Sequence, residues 1–413
     1  MTNPDTSTLP PTESPEKQTD ENDAQSQTPR NRRDLDDIIE NNEWDAAMER
    51  FRMFPEEARQ IVNPSLGWTK LHYLCSIGAA PTEIIDLVAQ LYPEAISMAD
   101  RRYGDTPLHI LCRNSQTSAQ KVKILLRHLK ENDIRHQEGE ADGETNFLDG
   151  VLIRNRFGGT PLHSAANHNA VLEVLQELVA ANPRILRVTT HEGTHAVSAL
   201  WHSYIQTIPG YMIVARILEG EDVRGEGHFE RFWKKVEFLA TEYYRVMQSQ
   251  AQKDNTPDQI DSRFVLHGLI KCNVAINCFK VALKWDKLYL STPDSNGNLA
   301  LHRILEDRPF RLKEREAIQS LLEVYPEAAS HRNEAGAYPL TIAIENRIPF
   351  ENGVGDILNA YKQVVHHRDH TTSGLYPFQL AAAVGGKVGI ETTFHLLLTK
   401  PDLLSCFSEN RQS

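Results

Sequence analysis

The chain lacks what a membrane protein or a disulfide scaffold requires. No apolar run approaches the roughly 18 residues of a membrane span, and the first stretch of sequence has no apolar core like that of a secretory signal. Cysteine is sparse: five in 413 residues, with no C-x-x-C pair. That usage fits a reducing compartment, so cytoplasm or nucleus is the expected location. A basic excess is also missing. Forty-four Lys and Arg against 56 Asp and Glu leave a net charge of −12, whereas a nucleic-acid binder needs a basic face to displace counterions from phosphates. Neither nucleic acid nor membrane is therefore expected as a partner. No Gly-rich phosphate loop, nucleophile elbow or kinase motif occurs. No catalytic residue, cofactor or metal is assigned, and the chain is read as a non-enzyme.

What is present is a recurring phrase, G-x-T-P-L-H. It is clean at Gly104-Asp105-Thr106-Pro107-Leu108-His109 and at Gly158-Gly159-Thr160-Pro161-Leu162-His163. Gly67-Trp68-Thr69-Lys70-Leu71-His72 and Gly297-Asn298-Leu299-Ala300-Leu301-His302 are degraded copies, and weaker ones end at Ser198, His267, Thr341 and Gln379. Measured at the His position, the steps are 37, 54, 35, 69, 35, 39 and 38 residues. A period in this range means stacked supersecondary units rather than one globular core. Each residue has a local task. Thr suits a helix N-cap, Pro the first helical position, Leu the core, and Gly the tight turn before the cap. The His, one turn in, has two ring nitrogens with which to bridge the cap and a neighbouring loop.

The Thr-Pro-Leu-His copies resemble the ankyrin repeat, over roughly residues 34 to 395. That resemblance implies an all-α, curved solenoid of about eight to nine helix-turn-helix repeats, each opened by a finger turn. It also implies a protein-binding scaffold or adaptor that uses the concave surface of fingers and inner helices. The unit here is longer than the usual ~33 residues and carries a second phrase that ends the outer helix at proline, as in Leu91-Tyr92-Pro93-Glu94-Ala95 and Val324-Tyr325-Pro326-Glu327-Ala328. In this it is similar to the large ankyrin-like families of some unicellular algae.

Segments follow from composition and register. Residues 1–33 are polar and almost free of aliphatics, which predicts a disordered tail. Residues 34–66 read as N-terminal capping helices, and 67–205 as repeats with an acidic insertion at 131–150. Residues 206–261 read as an insertion, a loop over about 206–228, followed by an amphipathic outer helix. Repeats resume over 262–395, and 396–413 form a C-terminal cap and tail. In the outer helix, Phe232, Trp233, Val236, Leu239, Ala240 and Tyr243 share one stripe, with Lys234, Lys235 and Glu242 off it. Cys75 and Cys112 stand where Ala166 stands in the next repeat, which makes them small core residues.

Two clusters mimic metal sites. His191-Glu192-Gly193-Thr194-His195 matches H-E-x-x-H, which on a helix holds zinc. The repeat register instead puts Gly193 at the finger and His195 at the cap. A zinc hydrolase built on residues 191–195, with Glu219 as third ligand, or a small-molecule sensor at the interrupted repeat 198–267, is the alternative function. His366, His367, Asp369 and His370 form the second cluster, read as loop residues. The fold does not need the finger tips, so they are the candidate protein-binding residues: Arg101, Arg102, Tyr103, Arg154, Arg156 and Phe157. A basic and aromatic edge on an acidic chain suggests an acidic protein partner for a monomeric scaffold.

Overall fold

The computed structural model describes residues 34–137, 149–248, 264–272, 274–306, 314–368 and 374–399. The expected tail at 1–33, most of the 131–150 insertion, Asp369, His370, Cys406 and nearly all of the 396–413 tail lie outside the described residues.

Two short helices open the array, α1 (Leu35–Glu40) and α2 (Trp44–Met53). Their apolar residues recur at three- and four-residue spacing, and Leu35, Ile39, Ala47 and Phe51 are fully buried. A small antiparallel hairpin, β1 (Ile61–Asn63) and β2 (Trp68–Thr69), forms the first finger. Three regular units follow: α3 (Lys70–Ser76) with α4 (Thr82–Leu91), α5 (Pro107–Arg113) with α6 (Ala119–Gln137), and α7 (Pro161–Asn167) with α8 (Leu172–Ala181). The seven-residue inner helices α3, α5 and α7 stack in one row and α2, α4, α6 and α8 in another. α6 runs to Gln137, so the first part of the acidic insertion expected at 131–150 is a continuation of this helix.

Several of the outer helices stop for the same reason. Two residues past the ends of α4, α8 and α16, a proline opens a 3₁₀ turn, over Pro93–Ser97, Pro183–Arg187 and Pro326–Ser330. Proline lacks the N–H that would continue the ladder and turns its predecessor extended.

The next unit is irregular. α9 (Ala196–Ile205) is an inner helix packed on α7, and α10 (Ile208–Glu219) and α11 (Gly227–Gln248) follow. α11 packs on α8 and α9, as an outer helix does, while α10 is an extra helix wedged between α9 and the later α13. The loop expected over 206–228 is thus corrected. Thr207 caps α10, its Oγ1 accepting from Gly210 N–H at 3.1 Å, Pro209 sits in the first turn, and Gly220 closes the helix at φ +95°.

The α11 stripe is buried as expected, but so are Lys235 and Glu242, which were placed off it. Lys235 Nζ donates to the backbone and side-chain oxygens of Asn169 at 3.0 and 2.7 Å, and Glu242 pairs with Arg245 at 2.5 Å. Burial pushes the Lys235 amine down to about 8. Aromatic rings fill the junction: Tyr204 stacks on Phe232 at 3.7 Å, and Phe229 meets Trp285 edge-on at 5.0 Å.

Helix pairs then resume: α12 (Val265–Lys271) with α13 (Ile276–Trp285) and the short α14 (Leu288–Ser291), α15 (Ala300–Glu306) with α16 (Glu314–Val324), α17 (Pro339–Glu345) with α18 (Val354–Ala360), and α19 (Pro377–Val384) with α20 (Gly386–Thr399). The limit expected at 395 falls inside α20. A single apolar core runs from Leu35 to Leu396.

Candidate interface on the fingers and inner helices

Each finger is built from an Asx or Thr residue and a glycine. Asp100 N–H donates to Asp105 O, Asn155 to Gly159 O, Thr190 to Thr194 O, Asp294 to Asn298 O and Asn333 to Ala337 O, at 2.8–3.1 Å. The first side chain then folds over the turn: Asp100 Oδ1 accepts from Tyr103 and Gly104 N–H at 2.6 and 2.8 Å. Seven finger glycines, Gly67, Gly104, Gly158, Gly193, Gly297, Gly336 and Gly374, have φ between +60° and +81°, where a Cβ is disfavoured.

The repeat histidines lock each finger to the next unit. In the first three repeats Nδ1 of His72, His109 and His163 accepts the N–H of the capping Thr at 3.2–3.3 Å. Nε2 meets the carbonyl of Asp105, Gly159 and Thr194 of the following finger at 3.1–3.3 Å. A ring that accepts at Nδ1 and donates at Nε2 is neutral, and burial lowers the pKa of His72 and His109 and takes that of His163 to about 4.

Fingers are also stitched tip to tip. Arg101 N–H donates to Leu66 O (2.7 Å), Arg156 N–H to Tyr103 O (2.8 Å), His191 N–H to Phe157 O (2.9 Å) and Glu334 N–H to Asn296 O (3.0 Å). This row fixes where the six candidate residues go, and they divide. The Arg101 guanidinium donates back to Pro64 O at 3.0 Å. Arg154 donates to Gly158 O at 3.0 Å and to Thr189 O at 2.5 Å, clamping one finger to the next. Those two side chains are engaged in the scaffold. Arg102 and Arg156 are exposed and face no carboxylate among the described residues. Arg102 and Arg113 lie on the Tyr103 ring at 4.9 and 5.2 Å, and Tyr103 lies 6.1 Å from Phe157, which is 59 % exposed.

Phe157 and Arg156 stand at the mouth of a groove of about 540 Å³ that runs beneath the fingers along α9. His191 and Glu192 of the next finger and Trp201, His202 and Ile205 of α9 line it. Just past Ile205, Ile208, Tyr211 and Met212 on α10 are exposed. The sequence reading had no place for this apolar step, because it took residues 206–228 for a loop. Thr207, Pro209 and Gly220 were the helix signals available.

The H-E-x-x-H segment does not bring its histidines together on a helix. His191 is an exposed finger residue, whereas His195 is the N-cap of α9, its half-buried ring edge-on to Tyr243 at 5.0 Å. Glu219 is the exposed last residue of α10. Among the described residues no group of three or more His, Cys, Asp or Glu is placed to hold a metal ion. Trp201, Tyr204 and Tyr243 of the interrupted repeat are buried. His367 packs against Tyr361 and Tyr338. No helix among the described residues is long and apolar enough to cross a membrane.

The family model of ankyrin repeats matches residues 71–187 in three copies. Residues 71–187 are ankyrin repeats. The finger, inner-helix and outer-helix units on either side continue the same all-α ankyrin-type solenoid. Among solved structures, the chain is similar to the ankyrin repeat domain of Bcl-3, a member of the IkappaB family, at 14 % identity and a TM-score of 0.34, covering 80 % of this chain and 99 % of that one. No curated protein matches the sequence. Ankyrin repeats generally bind proteins. Arg102, Arg156 and Phe157 lie within the three matched copies.

Proposed function

We propose that this chain is a non-catalytic binding scaffold that captures an acidic protein segment across the fingers of its second and third repeats and the groove along α9. The observation that carries the reading is Phe157, a large ring held 59 % exposed at the groove mouth. A ring in that position is not needed to close the finger, whose own bonds run through Asn155 and Gly159. Aromatic and Arg residues supply most of the energy of protein interfaces when a partner covers them. Arg102 and Arg156 on either side would meet carboxylates, and the floor at Trp201, Ile205 and Ala275 would accept an apolar anchor. Arg101 and Arg154 position the fingers and leave contact to their neighbours.

The test is a photo-crosslinking residue at position 157 in the full-length chain, used in the source cell to identify what lies on the groove. Affinity for the purified partner is then titrated with the wild type, with Arg102→Glu, Arg156→Glu and with Phe157→Ser. We expect a loss of tenfold or more for each variant and a steep fall of wild-type affinity with salt. Undiminished affinity in all three would remove this surface from the function.

A further inference from the structure

The inserted helix α10 has no counterpart in the regular units, and its outer face is apolar. Gly210, Ile213, Val214 and Ile217 are buried where the helix packs on α9 and α13. Ile208, Tyr211 and Met212 lie away from them, at i, i+3 and i+4, so they share one face, and they are 77, 67 and 57 % exposed. A surface helix ordinarily carries polar residues there. The face starts three residues after Ile205, which ends α9 and lines the groove under the fingers. Ser198, Trp201, His202 and Ile205 line that groove from one side of α9, at three- and four-residue spacing. At 1.5 Å per residue α9 contributes about 10 Å of lining from Ser198 to Ile205, and α10 adds about 6 Å from Ile208 to Met212. Arg156 stands at the finger end of the groove, with Arg102 and Tyr103 on the finger before it.

The walls of this groove hold little backbone for a strand to pair with. Tyr103 O, Arg156 N–H, Phe157 O and His191 N–H are used tip to tip between fingers, and Thr189 O takes Arg154. α9 closes with Gln206 N–H on His202 O and Thr207 N–H on Tyr204 O. Two polar side chains of the lining are engaged as well: Thr190 Oγ1 accepts Thr194 N–H at 3.2 Å, and His202 Nε2 meets Gln206 Nε2 at 2.6 Å. An extended segment laid along α9 would bury N–H and C=O groups of its own beside apolar side chains. A helix satisfies those groups within itself and brings only side chains to the groove.

We propose that α10 completes the groove, and that the segment bound there is an amphipathic α-helix of about three turns from another protein. Its apolar stripe lies on Ile205, Ile208 and Met212, with Tyr211 at the margin, and its carboxylates face Arg102 and Arg156. This partner rests on the groove being the binding surface proposed above and gives that surface the form of its ligand. Charge and continuity select it over a second copy of the chain. Arg102 and Arg156 are exposed cations, so the finger end attracts carboxylates. Two copies joined through α10 alone would meet on three apolar residues a side, against about 20–30 in a stable interface. Joined to the 13 residues that line the groove, the same three approach that size.

The experiment places photo-crosslinking residues at 157 and, separately, at 212 in the full-length chain, and maps the captured residues on the partner. The segment captured from 157 is then made as a synthetic peptide of about 20 residues, with and without a central proline. Each peptide is titrated against the wild type, Ile208→Asp/Met212→Asp and the milder Tyr211→Ser, and helix formation is followed by circular dichroism. We expect positions 157 and 212 to capture one segment, the peptide to gain helix on binding, and the Asp pair to weaken it tenfold or more with the melting temperature unchanged. The central proline should weaken it at least as much, because it breaks a helix. If both α10 variants bind as the wild type does while Phe157→Ser loses affinity, α10 is outside the site although the groove reading stands. Undiminished binding of the proline peptide would show an extended ligand, and capture of the chain by itself would show a second copy; either overturns the proposal. Phe157→Ser binding as tightly as the wild type removes the groove reading and this one with it.

Discussion

Asn155 Nδ2 donates to Asp105 Oδ1 at 2.9 Å across a separation of fifty residues, and Arg113 Nη1 takes the other carboxylate oxygen at 2.6 Å. Asp105 is fully buried. Asn155 in turn uses its own Oδ1 to accept the N–H groups of Phe157 and Gly159 at 3.1 and 3.0 Å. The finger that presents Arg156 and Phe157 is therefore tied to the repeat before it by a carboxylate, in addition to the His109–Gly159 and Arg156–Tyr103 bonds. A neutral version recurs where Asn333 Nδ2 donates to Asn298 Oδ1 at 3.0 Å.

Replacing Asp105 by Ala should destabilise the chain by about 3 kcal/mol, because a buried amide and a partly buried guanidinium lose their shared acceptor. Asp105→Asn, which copies the residue at 298, should have a smaller effect. Urea denaturation at neutral pH checks both, and equal stability of the Ala variant with the wild type would show that the carboxylate is not the link between the two fingers.

Stability should fall in mild acid for a reason tied to the repeat histidines. Burial takes His163 and His302 to about 4 in the folded chain, against about 6.5 unfolded. Below pH 6.5 the unfolded chain binds protons that the folded chain refuses, so folding loses up to about 1.4 kcal/mol per pH unit per histidine until pH 4 is reached. Gln379 fills the same position in α19 and accepts Tyr376 N–H at 3.0 Å, so His163→Gln should flatten the slope between pH 6.5 and 4 without collapsing the fold. An identical slope in wild type and variant would count against the neutral ring.

Arg154 and Arg156 should separate cleanly in one pair of measurements. Arg154 donates to two finger carbonyls, so Arg154→Ala should lower stability by about 1 kcal/mol. The Arg156 side chain is exposed, so Arg156→Ala should leave the melting temperature within about a degree. The reverse order would show that the finger is held from the other side.

That division marks how much the sequence could say. Thr-Pro-Leu-His states its own helix start, because cap, first-turn proline and core leucine act within four residues. So do the finger glycines, which is why the register of the clean copies could be read from residues such as Gly104 and His163. The task of Arg154 depends on Thr189, which only stacking brings near, and no local pattern records it. α10 was missed although Thr207 and Pro209 announce it, because a single repeat period left no room for a second outer helix. The burial of Lys235 was hidden for the same reason as Arg154: its acceptor, Asn169, comes from an earlier repeat.

The contact between α11 and α12 supplies the sharpest steric test. A Cβ on Gly268 would lie 1.9 Å from Ala240 O, a distance no rotamer relieves, because both atoms belong to backbone in packed helices. Gly268→Ala should force the two helices apart and destabilise the chain by about 3 kcal/mol or more. Gly193 provides the control. It has φ +77° but nothing within 4 Å of its would-be Cβ, so Gly193→Ala should cost only the backbone strain, about 1 kcal/mol. If the two variants melt together, α11 and α12 are not in backbone contact, and the amphipathic helix that follows the inserted α10 is held to the later repeats by its side chains alone.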